Sequence, residues 1–235
     1  MRKLLNQALR PLGYELRRVD VFAERLAALL ALPAELKFVQ IGAHDGVQFD
    51  DLYATVTQQR CAGLAVEPLP DVFERLRHNY ADYPRVVPVN VAVHASAESI
   101  ELYRVMPGAL AALPPWARGL ASFDRNHLVK HGIPEHAIRS TRVICKPLMA
   151  LLEEHGFTDA NLLQIDVEGY DAEVLRMIDF KRLRPQLIKY EHKNLRESDA
   201  QASRKLLHDA GYDSSRGAGY HRLATLVCAA NSALC

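Results

Sequence analysis

The sequence predicts an α/β protein built on a doubly wound, mostly parallel sheet, and three observations carry that prediction. Phe38–Ile41 is a buried-strand run that ends in Gly42-Ala43-His44-Asp45-Gly46, a turn with glycine at both ends. Cys61–Val66, Asn161–Ile165 and Leu187–Tyr190 are largely apolar runs separated by helical patterns, as expected of strands covered on both faces. Tyr212–Ser215 and Tyr220–Cys228 flank a turn bearing Gly217 and Gly219 and read as a closing antiparallel hairpin.

Composition agrees with one globular domain with additions. The 235 residues are 49% hydrophobic and 24% charged, and a chain of this length buries a core without staples. Net charge is +1, from 29 basic and 28 acidic residues, so no basic excess points to nucleic acid. Cys61, Cys145, Cys228 and Cys235 form no C-x-x-C pair and read as thiols in a reducing compartment. No apolar run approaches the roughly 20 residues that span a bilayer. The start, Met1-Arg2-Lys3-Leu4-Leu5, resembles a signal peptide until Asn6, Gln7 and Arg10 interrupt it. The expected location is cytoplasmic.

In chain order, residues 1–35 form an N-terminal helical extension: Leu4, Leu5, Ala8, Leu9 and Leu12, then Val21, Phe22, Leu26, Leu29 and Leu30, recur at helical spacing. This end is basic. It reads as a cap packed on the domain, with association to a membrane surface as the alternative. Residues 36–235 form the main domain. Phe38–Ile41 is a strand and Val47–Val56 its following helix. Cys61–Val66 is a strand ending in Glu67-Pro68, and Asp71 opens the next helix, with Val72, Phe73 and Leu76 facing inward. Arg85–Val93 is a third strand whose Pro88 suits a sheet edge. Residues 94–147 are an insertion or lid: a strand over Ser99–Val105, a proline-rich loop from Met106 to Gly119, a helix over Asp124–His131 and a short strand over Thr141–Cys145. Pro147–His155 and Asp171–Ile178 are helices around Asn161–Ile165. A helix over Asp199–Ala210 follows Leu187–Tyr190 and stops at Gly211.

Ligands of open α/β sheets bind outside the carboxyl ends of the strands. Four strands end here in polar residues: Asp45 with Gly46, Glu67, Asp166 with Glu168, and Glu191 with His192. Glu67 follows the glycine turn by about 20 residues, where an acid binds both hydroxyls of a ribose. NAD and S-adenosylmethionine are the cofactors such a site takes. The turn lacks the middle glycine of a dinucleotide motif, and Asp45 repels phosphate while welcoming an ammonium group, which favours S-adenosylmethionine.

Ile41–Gly46, Val66-Glu67-Pro68 and Leu163-Gln164-Ile165-Asp166-Val167-Glu168-Gly169-Tyr170 together resemble the FkbM family of S-adenosylmethionine-dependent methyltransferases, over roughly residues 36–228. The resemblance implies the class I methyltransferase fold, Rossmann-like, and O-methylation of a hydroxyl on a sugar, glycan or secondary metabolite. It places Gly42, Ala43, Asp45 and Gly46 along the methionine part of the cofactor and Glu67 and Pro68 at the ribose. Asn90 to Ala92 would border the adenine. Asp166 and Ser122, the latter in Ala121-Ser122-Phe123, would face cofactor or acceptor.

A hydroxyl must lose its proton to accept a methyl group, which requires a base or a metal ion. Asp166, Glu168, Glu191 and His192 are the catalytic candidates; Asp166, Glu191 and His192 could instead bind Mg²⁺. Each has a plainer reading: Glu168 as a helix-start acid, Glu191 as a surface partner of Lys189 or Lys193. His44 is expected to be a solvent-facing spacer. His127, His131 and His136 could ligate a metal, but a solvated helix face is the simpler expectation. Trp116 is a sugar-stacking platform or a loop anchor. An NAD-dependent enzyme on the same fold and a catalytically silent binding module stand as alternatives. The expected partner is a saccharide or small-molecule acceptor, with no nucleic acid.

Overall fold

The computed structural model describes Pro11, residues 20–216 and residues 221–227. The first predicted helix, the Gly217/Gly219 turn, Cys228 and Cys235 lie outside the described residues. The first helix met is α1 (Val21–Leu30), capped by Asp20, whose carboxylate accepts from the Phe22 and Ala23 N–H groups. There follow β1 (Lys37–Ile41), α2 (Tyr53–Gln59), β2 (Ala62–Val66), α3 (Pro70–Asn79) and β3 (Val86–Val89). Next come β4 (Ala92–Val93) and, within the insertion, β5 (Ser99–Val105), two 3-10 turns, β6 (Ala121–Ser122), α4 (Arg125–Lys130), a third 3-10 turn and β7 (Ile138–Lys146). The chain then forms α5 (Leu148–His155), β8 (Leu162–Ile165), α6 (Asp171–Arg176), β9 (Leu187–Glu191), α7 (Glu197–Asp209), β10 (Tyr212–Arg216) and β11 (His221–Leu226).

The main sheet runs β10-β11-β9-β8-β1-β2-β3. β3, β2, β1, β8 and β9 are parallel, and β11 is antiparallel to both β9 and β10. The order reverses between β1 and β8, so the carboxyl ends of those two strands flank the topological switch point. β3, with Pro88, is an edge strand, where a missing N–H costs no ladder bond. A second sheet, β4-β7-β5-β6, is built mostly from the insertion.

Both faces of the main sheet are covered. On one face α1 buries Phe22, Leu26 and Leu29 against Leu36, Phe38, Leu187 and Leu223. On the other, Val39, Ile41, Leu163, Ile165, Ile188 and Tyr190 pack under α5 and α7. Among the described residues no helix is long and apolar enough to cross a membrane.

Three element boundaries differ from the sequence reading. The helix expected over Val47–Val56 begins only at Tyr53. Asp45 Oδ1 accepts from the Val47 and Gln48 N–H groups, and Asp50 Oδ1 from Leu52 N–H. These aspartates give the backbone donors non-helical partners. The strand expected over Arg85–Val93 breaks at Asn90, whose side-chain amide donates to the carbonyls of Glu67 and Pro68, so Ala92-Val93 joins the second sheet. The short strand at Thr141–Cys145 is a nine-residue strand, paired with all of β5. Exposed Arg139, Ser140 and Arg142 obscure its apolar alternation.

Candidate functional site

The β1 turn lies directly on the end of β8. Gly42 has φ +82°, and a Cβ there would stand 1.9 Å from the Asp166 carbonyl oxygen, so only glycine permits the approach. Gly46, at φ +75°, is packed against Tyr80 and Leu76 of α3 and its capping residue. Two adjoining cavities open along this edge. The larger, about 530 Å³, is lined by Gln40, Gly42, Ala43, His44, Phe49, Asp50, Trp116, His131, Gln164, Asp166, Glu168, Glu191, Lys193, Asn194 and His221, among others. The smaller has Glu67 and Pro68 on one side and Leu69, Val91, Ala92, Leu102, Ala121 and Phe123 around it. Gly42, His44, Asp166 and Glu168 line both.

Glu67 is buried at the end of β2. Its Oε2 accepts from His44 N–H at 3.0 Å and its Oε1 from Leu69 N–H at 2.9 Å. Burial pushes its carboxyl up to about 7, against the opposing effect of these bonds. Each oxygen keeps lone-pair capacity beyond its backbone donor. One carboxylate beside an apolar slot is a lining whose chemistry fits a ribose diol and an apolar ring.

Asp45 occupies a different place from the one expected. The residue is 2% exposed and lines neither cavity. It is engaged by Val47 N–H, Gln48 N–H and Gln48 Nε2. Burial raises its pKa, but hydrogen bonds from His44, Gln48 and Val47 outweigh that and hold it well below the usual carboxylate range. It therefore fixes the turn from within and does not present an acid to a ligand. Gly46 also serves the packing, and Asn90 and Ser122 support the walls without lining them: Ser122 Oγ donates to the Glu168 carbonyl. His44, expected in solvent, instead lines both cavities.

An acid-rich network fills the ends of β8 and β9. Asn194 Nδ2 donates to Glu168 Oε2 at 2.9 Å and to Glu191 Oε2 at 2.8 Å, one hydrogen for each acid. Glu168 Oε2 also lies 3.2 Å from His127 Nε2 on α4, which turns that histidine inward rather than to solvent. The backbone of Glu168 has φ +49°, an uncommon conformation for a non-glycine residue, so its side chain does not cap α6. Glu191 is buried rather than bridged at the surface. Burial, then the charges of Glu168, Asp166 and Asp171, push its carboxyl up to about 9, so it holds its proton at neutral pH. Asp171, fully buried beneath it, accepts from Glu191 N–H and is likewise raised, by burial first and then by Asp166.

His221, on β11 opposite Glu191, puts Nε2 3.3 Å from Asp166 Oδ2 and lines the larger cavity. Sequence reading missed it, because a histidine in a hairpin strand has no local signal; only the register of β11 on β9 brings it to Asp166. Asn194, Gln40 and Gln164 likewise carried no local signal, and His127, read as a metal ligand or part of a solvated face, instead meets Glu168. His192 goes the other way: it lines neither cavity, while its neighbours Lys193 and Asn194 line the larger. Among the described residues no group of three or more His, Cys, Asp or Glu side chains is placed to share a metal ion. Asp166, Glu191 and His192 thus do not fit a Mg²⁺ site, and His127, His131 and His136 do not form one.

Strand order, antiparallel hairpin and a cofactor-sized groove at the switch point define a class I methyltransferase fold. The chain matches the methyltransferase FkbM domain over residues 40–214 and belongs to that family. Membership of that family replaces the NAD-dependent alternative. No protein of curated function matches the sequence. Among solved structures, an FkbM methyltransferase from Methylobacillus flagellatus KT is 13% identical, with a TM-score of 0.50; the match covers 85% of this chain and 45% of that one. A precorrin-6y C5,15-methyltransferase from Geobacter metallireducens GS-15 is 14% identical, covering 89% and 90% with a TM-score of 0.42. A SAM-dependent methyltransferase from Aquifex aeolicus is 12% identical, covering 87% and 89% with a TM-score of 0.40.

Proposed function

We propose that this methyltransferase transfers a methyl group to a hydroxyl oxygen of a saccharide or secondary metabolite, and that His221 takes the proton. When bound, S-adenosylmethionine supplies an electrophilic methyl group on a sulfonium. The residues that would hold it are Glu67 and Pro68 at the ribose, Ala92 at the adenine, and Gly42, Ala43 and Asp166 beside the methionine part. The observation that carries the reading is the Asp166–His221 pair, at the junction of the two cavities.

In this reading Asp166 orients His221 and stabilises the imidazolium formed when the acceptor hydroxyl gives up its proton. Holding the acceptor hydroxyl in place beside Asp166 and His221 would supply much of the rate of such a transfer. Glu191, protonated at neutral pH, donates a hydrogen bond instead of acting as a base. Glu168 fixes Asn194 and His127. Phe49 and Trp116, 59% and 45% exposed at the cavity rim, offer ring faces to the apolar side of a sugar or fused ring.

Calorimetry with S-adenosylhomocysteine tests the cofactor, and Glu67→Gln is expected to weaken that binding by about tenfold or more. A labelled-methyl screen over saccharides and natural products tests the chemistry. With a turned-over acceptor in hand, His221→Ala is expected to lower kcat by about 10²-fold or more while S-adenosylhomocysteine affinity stays within about twofold. Methylation of amines alone would replace the hydroxyl reading.

A further inference from the structure

The larger cavity changes character between its depth and its mouth. Its buried lining is mostly polar, with Gln40, Gln164 and Glu191 all under a tenth exposed. Its exposed large apolar residues are Phe49 and Trp116, which come from two separate segments. Phe49 belongs to the loop after the β1 turn, and Trp116 to the 3-10 turn Pro115–Arg118 of the insertion. The two segments meet at Gly119, where an added Cβ would stand 3.4 Å from Phe49 Cδ2 and 3.8 Å from the Trp116 carbonyl oxygen. Phe49 and Trp116 therefore bracket the mouth from opposite sides of the junction between main domain and insertion.

Both rings are held in place. Phe49 has φ +63°, a conformation that a bulky side chain rarely adopts, and meets the His44 ring edge-on at 5.7 Å between centroids. Trp116 is tilted on His131 at 6.3 Å, and both histidines line the same cavity. Apolar surface continues away from the mouth: no charged side chain occurs from Pro107 to Ala117, and Pro114 and Pro115 are exposed just ahead of Trp116. An exposed apolar patch rimmed by polar residues marks a binding surface. The methyl donor does not account for it. Its adenine is assigned to the smaller cavity, which neither Phe49 nor Trp116 lines, and its methionine part is charged.

We propose that the methyl acceptor is an amphiphile: a polyol head that enters the larger cavity, joined to an apolar arm that lies across Phe49 and Trp116 at the mouth. A glycoside with an alkyl or aryl aglycone has this form. The proposal rests on the methyltransferase reading above. A hydroxyl of the head reaches Asp166 and His221, inside the polar part of the cavity. The arm adds affinity by taking apolar surface out of water and has no part in the methyl transfer itself. Phe49 and Trp116 are then specificity residues that select for what is attached to the sugar.

The test uses the full chain saturated with S-adenosylhomocysteine and three matched probes: methyl, hexyl and phenyl β-glucoside, each below its micelle concentration. Binding is read by calorimetry and saturation-transfer NMR. The hexyl and phenyl glucosides are expected to bind about tenfold tighter or more than the methyl glucoside, a gain that burying about two CH₂ groups supplies. Phe49→Ser combined with Trp116→Ser is expected to erase the gain, and Phe49→Tyr combined with Trp116→Phe to keep it. Ile144→Ser, at an exposed apolar residue outside the cavity, is expected to keep it as well. Equal or absent binding of the three glucosides overturns the proposal, as does a gain that survives the double serine substitution or is lost with Ile144→Ser. A second copy of the chain and a membrane surface are the competing occupants. A dimer seen by sedimentation, or pelleting with phosphatidylcholine vesicles, that the serine substitutions abolish while the glucosides bind alike gives the two rings to that contact and overturns the proposal. A wild-type chain that does not bind S-adenosylhomocysteine overturns the methyltransferase reading itself.

Discussion

At Glu191, burial among other acids sets both a protonation state and a pH dependence. Its carboxyl titrates near 9 in the folded chain, and a glutamate ordinarily does so near 4.5. Across that window the unfolded chain ionises while the folded chain keeps the proton, so stability falls as pH rises. Glu67, pushed to about 7, adds to the same slope over the lower half of the window. Melting temperature measured from pH 6 to 9 is expected to decline, and Glu191→Gln to flatten the decline and raise the value at pH 8. The gain is about 1–3 kcal/mol, or at least about 2 °C. Glutamine keeps the shape and hydrogen bonding of the protonated acid, so the same variant should retain kcat; a large loss would instead make Glu191 the base.

The β1 turn and the loop after it show which features of an element are legible in its sequence. Gly42 and Gly46 marked the turn itself, while the approach of Gly42 to the Asp166 carbonyl became visible only in the structure. Asp45 was legible as important but not in its role. An aspartate two or three residues before free N–H groups can cap a loop or face a ligand, and only its burial decides between them. The same loop is tied to the sheet twice more, by Asp50 to Gln40 and by an ion pair between Asp51 and Lys189. Asp45→Ala is expected to cost about 1–3 kcal/mol in chemical denaturation, since the Val47 and Gln48 donors lose a charged acceptor. It should weaken S-adenosylhomocysteine as well, through Ala43 and His44. Gly42→Ala, with its Cβ inside the Asp166 carbonyl, is expected to be the more damaging and to give little folded protein by circular dichroism.

Across the whole molecule, local patterns located the main sheet because its strands are continuously apolar and its helices follow at short intervals. They could not show that the insertion builds a sheet of its own, since β5 and β7 expose polar residues on one face and pair across more than thirty intervening positions. A second long-range register, that of β11 on β9, brings His221 into the site. The insertion has separate small cores, one around Leu69, Val72, Leu102 and Val143 and another around Val105, Leu120, Leu128 and Ile133. Buried Arg104 on β5 pairs with Asp71 on α3 and links the insertion to the main domain. Hydrogen exchange is expected to find the second of these cores opening at lower free energy than β1 and β8, with Leu128→Ala widening the difference by about 2–5 kcal/mol. One residue restrains that opening: Glu168 receives Ser122 at its carbonyl and His127 and Asn194 at its carboxylate, while lining both cavities. A lineage that altered the insertion to accept a new substrate would disturb donor binding at the same time, so changes of specificity in this fold must arrive in compensating pairs.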